Sequence, residues 1–118
     1  MSDNVIAKKS LEFALSLLDL YKDLIKSSEF VLSKQLFRAG TSIGANIQEA
    51  YYAQSKRDFI SKMHIAAKEA RETKYWLILI EKSRFTKLKL NNYFEGIDEI
   101  LRIINAILKT SKNKITNN

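Results

Sequence analysis

Residues 30–54, FVLSKQLFRAGTSIGANIQEAYYAQ, decide the fold. Read as a helix, this stretch carries three stripes. Leu32, Leu36, Ala39, Ile43, Ile47 and Ala50 alternate spacings of three and four, which is the seam of a bundle core. Ser33, Phe37, Gly40, Gly44 and Tyr51 form a second, mostly small line against which another backbone could lie close. Gln35, Ser42, Asn46 and Glu49 are polar and point elsewhere. A helix that needs one apolar face and shows two is contacted on two sides, so the chain reads as built for assembly.

Outward from there, the pattern repeats. A helix over about 4–26 has Asn4 as its N-cap. One stripe of it is Leu11, Ala14, Leu18, Tyr21 and Ile25, and beside it runs Phe13, Leu17, Leu20 and Leu24. The pair covers more surface than one core face needs. The second stripe reads either as a deep bundle position or as the meeting face for a neighbouring subunit. Ser27 and Ser28 make a link so short that the first two helices are antiparallel neighbours, the second running over 29–53. Gly40-Thr41-Ser42 would allow a break there, but the unbroken seam through Ala39 and Ile43 argues for continuation.

Ser55-Lys56-Arg57-Asp58 resembles a capping box and opens a third helix over about 56–82. Its seam is Phe59, Met63, Ala66, Ala70, Thr73, Leu77 and Ile80, and the alanines at 66, 67 and 70 invite a close neighbour. Charges interrupt the pattern over 81–90, where Phe85 and Leu88 are expected to fold back over the bundle end. A fourth helix over about 91–112 follows the seam Tyr93, Ile97, Ile100, Ile104 and Ile107, with Gly96 an unexplained weak point and a frayed tail over 113–118. The predicted class is all-α, a single antiparallel up-down-up-down four-helix bundle. The absence of proline and the presence of only three glycines, which leave little with which to build tight turns, support it.

The segments SKQLFRAGTSIGANIQEA, from Ser33, and KEARETKYWLILI, from Lys68, resemble the bacterial four-helix-bundle family encoded in intervening sequences of 23S ribosomal RNA genes. The resemblance runs from about Val5 to Lys112 and is specific in its two blocks, Ser33 to Ala50 and Lys68 to Leu77. It implies a bundle that assembles into a homopentameric ring. Distant relatives include the accessory protein of diversity-generating retroelements, a pentamer that works beside a reverse transcriptase and nucleic acid. No catalytic motif comes with the family.

The residues themselves carry no enzyme constellation. There is no cysteine, hence no disulfide or thiol chemistry, and no phosphate-binding glycine loop. His64, the only histidine, reads as a surface residue, with a general base or an RNA contact as the sharper alternative. Glu69-x-x-Glu72 is offered without any Glu-x-x-His, so a carboxylate-bridged metal pair is not expected and these acids suit salt bridges instead. No cofactor is predicted. Asn46 and Glu49 would fix helix register if buried, or else contact a partner. No run approaches the roughly 18 uncharged residues of a membrane span, and no signal peptide opens the chain, so the expected setting is cytoplasmic.

The formal net charge of +7 is compatible with RNA, DNA or a nucleic-acid enzyme as partner. It is also ordinary in small lysine- and asparagine-rich proteins. In an up-down-up-down bundle, Lys8, Lys9, Lys56, Arg57, Lys109, Lys112 and Lys114 gather at one end, where a ring would multiply them into a collar for phosphates. The subunit interface is expected at Phe13, Leu17, Leu20, Leu24, Phe37, Gly40, Gly44 and Tyr51. The sequence thus reads as a non-enzymatic oligomeric scaffold that binds nucleic acid, with a purely structural or protein-interaction module as the alternative.

Overall fold

The computed structural model describes residues 4–116, which form four helices and, among the described residues, no strand. Helix α1 spans Val5–Lys26, α2 Val31–Tyr51, α3 Lys56–Ser83 and α4 Asn91–Thr116. The tail expected over 113–118 is helical as far as Thr116; residues 117 and 118 lie outside the described part. Each helix packs on two neighbours: α1 on α2 and α4, α3 on α2 and α4. The diagonal pairs do not meet, so the helices occupy the corners of a square bundle, 53 × 23 × 22 Å overall.

The helix starts follow from local chemistry. The Asn4 side chain accepts from the Ala7 N–H at 3.1 Å, and Ser55 accepts from the Asp58 N–H at 3.1 Å, satisfying donors that the helix leaves unpaired. At the start of α2 the N-cap position, Phe30, has no side chain that can accept, and Glu29 just before it takes over that role. Its two carboxylate oxygens accept from the N–H groups of Leu32 and Ser33 at 2.8 and 2.7 Å, and its own carbonyl accepts from the Ser33 hydroxyl at 2.8 Å. A negative charge here also suits the positive end of the helix dipole. Helix α2 does continue through Gly40-Thr41-Ser42. The hydroxyls of Thr41 and Ser42 donate one turn back to the carbonyls of Phe37 and Arg38, so both are satisfied within the helix.

The core follows the predicted seams of α2, α3 and α4. Leu36, Ile43, Ile47, Met63, Leu77, Ile80, Ile97, Ile100 and Ile104 are buried, and Ala66, Ala67 and Ala70 sit among them. Fully burying one such aliphatic side chain contributes about 1.5–3 kcal/mol. In the link before α4, Phe85 and Leu88 are largely exposed instead of covering the bundle end. Leu90 is the residue buried there, and the Thr86 hydroxyl anchors the link by donating to Asp23 of α1 at 2.6 Å.

Helix α1 reverses the expected assignment of its faces. Phe13, Leu17, Leu20 and Leu24 are buried in the chain's own core, whereas Leu11, Leu15, Leu18 and Ile25 are exposed. The cause lies on the facing helices. The Phe13 ring passes 3.1 Å from where a β-carbon on Gly96 would lie, and Leu17 fills the space above Gly40. Both glycines admit a large side chain from α1, and Gly96 is thereby explained.

Candidate nucleic-acid interface

The small line on α2 makes the close approach expected of it, but within the subunit. Gly44 faces Ser10 of α1, with the Ser10 hydroxyl 3.4 Å from the position of an added β-carbon. The Phe37 ring lies 5.0 Å from that of Tyr21, and Tyr51 meets Phe59 of α3 edge-on at 5.3 Å. Phe37, Gly40 and Gly44 are therefore taken up by α1, and on the outer side of α1 Leu11, Leu15, Leu18 and Ile25 remain exposed, as do Phe30 and Val31 at the start of α2. Leu15 belonged to neither stripe read from the sequence.

The polar pair on α2 does not set register between helices of this chain. Asn46 donates to the Ser42 carbonyl one turn back in its own helix, at 2.8 Å, and Glu49 is exposed. Cross-helix polar ties come instead from Arg38, which sequence reading overlooked. Its guanidinium reaches Glu69 at 3.4 Å and also Glu72 of α3, while the Trp76 indole N–H donates to Glu72 at 3.1 Å. Glu69 and Glu72 thus form ion pairs inside the subunit. Lys74 pairs with Asp98 at 2.8 Å, tying α3 to α4, and Lys9 pairs with Glu99 at 3.0 Å, tying α1 to α4.

The basic end is real but smaller than expected. The start of α1 and the end of α2 share a hollow of about 310 Å³ lined by Asn4, Ala7, Gln48, Tyr51 and Tyr52. A second, of about 340 Å³, joins the end of α2 to the start of α3 and to Ser111 of α4, with Lys56 and Phe59 in its wall. Lys8, Lys56, Arg57 and Lys109 are exposed around this end. Lys9 is drawn away along α4 by Glu99, and the Lys114 side chain lies outside the described residues. Lys112 is exposed and acts on His64 of α3. Partial burial, followed by the charges of Lys112 and Arg71, holds the His64 imidazole below its ordinary value of 6.5.

That histidine belongs to a feature the sequence reading did not assemble. Arg57, Ser61, His64, Lys68, Arg71, Tyr75 and Lys82 are all exposed and recur along one outward face of α3. The line is about 37 Å long at 1.5 Å per residue. Among the described residues, no group of His, Cys, Asp or Glu could hold a metal ion, and no helix is long and apolar enough to cross a membrane.

A family description, 23S rRNA-intervening sequence protein, matches residues 2–106. The chain belongs to that family. Among solved structures it is similar to a protein of unknown function from the S23 ribosomal protein family of Bacteroides thetaiotaomicron, with 49% identity and a TM-score of 0.87. That match covers 92% of this chain and 99% of the other. No protein of curated function matches. In this member of the 23S rRNA-intervening sequence family, the two segments that carry the resemblance are joined directly, because Arg38 in the first holds Glu69 and Glu72 in the second.

Proposed function

We propose that this protein is a non-enzymatic subunit of a homo-oligomeric scaffold, a ring of five, whose basic surface binds the backbone of RNA or DNA, alone or beside an enzyme that acts on nucleic acid. The reading needs no cofactor and places the assembly in the cytoplasm. The observation that carries it is the division of the chain's outer surface. Leu11, Leu15, Leu18 and Ile25 line one side of α1 as an exposed apolar stripe, the kind of patch that marks an interface. Elsewhere Lys8, Lys56, Arg57, Lys68, Arg71, Lys82 and Lys109 stand exposed and, among the described residues, outside the ion pairs. A ring multiplies those charges, and a surface of this kind grips phosphates without reading bases. A ring of five also requires the α1 stripe to meet a different surface of the next subunit, because head-to-tail contacts alone close odd-numbered rings.

The test is whether the purified protein carries nucleic acid. The expected result is a raised 260/280 absorbance ratio that falls on salt washing, and binding of generic RNA and DNA that weakens steeply with salt. Failure to bind either at ~50 mM salt, where phosphate contacts are least screened, would favour a protein-interaction module with no nucleic-acid role.

A further inference from the structure

We propose that the nucleic-acid backbone runs along the outer ridge of α3, from Arg57 through Lys68 and Arg71 to Lys82, and not over the end of the bundle. This rests on the reading that the protein binds nucleic acid at all. The ridge is one helix face with its cations in register and no carboxylate among them. Of the acids of α3, Glu69 and Glu72 are held on the α2 side by Arg38, while Asp58 and Glu81 adjoin Arg57 and Lys82 at the two ends of the ridge. On the α4 side, Asp98 is taken by Lys74, and Lys112 bears on His64 together with Arg71. Positive charge from two helices therefore meets at His64 on the ridge.

Shape and composition select the occupant. A partner helix would dock through an apolar seam. On this line the only large exposed hydrophobic is Tyr75, 56% exposed and braced edge-on against Trp76 at 5.5 Å, and Ile78 and Leu79, between it and Lys82, are partly covered. A polyanion needs no seam. At one phosphate per ~3.4 Å along each strand of a duplex, ~37 Å of ridge spans roughly ten phosphates, and the Tyr75 ring offers a face to a sugar or an unpaired base. Helix α3 is also the corner diagonal to α1 and makes no packing contact with it, so the ridge and the α1 stripe are separate surfaces, and the mass of the ridge variant decides whether the next subunit's stripe meets the ridge.

The experiment compares three proteins by fluorescence anisotropy with a labelled generic DNA duplex and a labelled single-stranded RNA over a salt series. They are the parent, the ridge variant Lys68→Ser/Arg71→Ser/Lys82→Ser, and the end variant Lys8→Ser/Lys56→Ser/Lys109→Ser. Light scattering and circular dichroism are run on each. The ridge variant is expected to keep the parent's mass and helicity while the slope of log affinity against log salt for the duplex flattens by about 2 to 3, at ~0.9 per lost contact. The end variant is expected to change that slope by less than about 1. An end variant that flattens as much as the ridge variant, or a ridge variant with the parent's slope, overturns this placement and leaves the nucleic-acid reading standing. A ridge variant of smaller mass overturns it too, by making the ridge a subunit contact. A parent that binds neither probe overturns the nucleic-acid reading and this placement with it.

Discussion

The Cδ1 methyl of Leu17 occupies the space that a β-carbon on residue 40 would need, so Gly40 is the socket into which α1 locks on α2. Four residues on, Gly44 is different, because an added β-carbon would meet the Ser10 hydroxyl at 3.4 Å, an ordinary contact. The two glycines of one stripe therefore predict opposite outcomes. Alanine gains ~1 kcal/mol over glycine in a helix interior, but overpacking a core costs ~1–3 kcal/mol. Gly40→Ala should lower stability, since the buried Leu17 methyl must be displaced within the core, whereas Gly44→Ala should equal or exceed the parent. Gly44→Leu should lose stability, being too large for the gap. Chemical denaturation of the three variants checks the order.

Periodicity identified the four helices because each seam repeats over several turns and no proline interrupts them. It could not choose between the two stripes of α1, since Phe13-Leu17-Leu20-Leu24 and Leu11-Leu18-Ile25 are equally regular. The choice is made across helices, by Gly40 and Gly96 opposite Leu17 and Phe13, and that pairing exists only once the bundle is packed. The same limit hid Arg38, whose carboxylate partners lie on the next helix. It also overstated the basic end, because Lys9 pairs with Glu99, far along the chain. The turns gave little signal. Ser28 and Arg84, where glycine is usual, take the left-handed conformation, with φ of 62° and 60°.

Glu29 holds the start of α2 by accepting from two backbone N–H groups while itself buried. Glu29→Ala leaves those donors without their acceptor and is expected to cost ~1–2 kcal/mol, the range for loss of a helix cap. Glu29→Asp, one methylene shorter, should retain part of the effect. Thermal melts of both variants test the assignment, and an alanine variant as stable as the parent would show that the cap is idle.

His64 gives a pH dependence of known sign. Its folded pKa lies below the usual 6.5, so the unfolded chain takes up the proton more readily. The contribution is fully present above the unfolded value and is lost as pH falls through the folded one. Between about pH 7.5 and 5.5, the parent's melting temperature should therefore decline more than that of His64→Gln. Equal declines would mean that partial burial and the charges of Lys112 and Arg71 do not act on this imidazole. Bound polyanion should raise the His64 pKa, observable as a shift of its NMR titration, because phosphates offset those two cations.

Helix α1 buries one stripe in its own subunit and, on the proposal above, offers the other to a second copy. The direct measurement is the solution mass by light scattering, with circular dichroism, of the parent, Leu15→Glu and Leu17→Glu. The parent is expected at several times the 13.6 kDa of one chain, and Leu15→Glu as a protein of smaller mass that stays helical and melts cooperatively. Leu17→Glu should instead lose the fold, because it places a charge in the core. A parent that runs as a single chain, or a Leu15→Glu protein with the parent's mass, would contradict it.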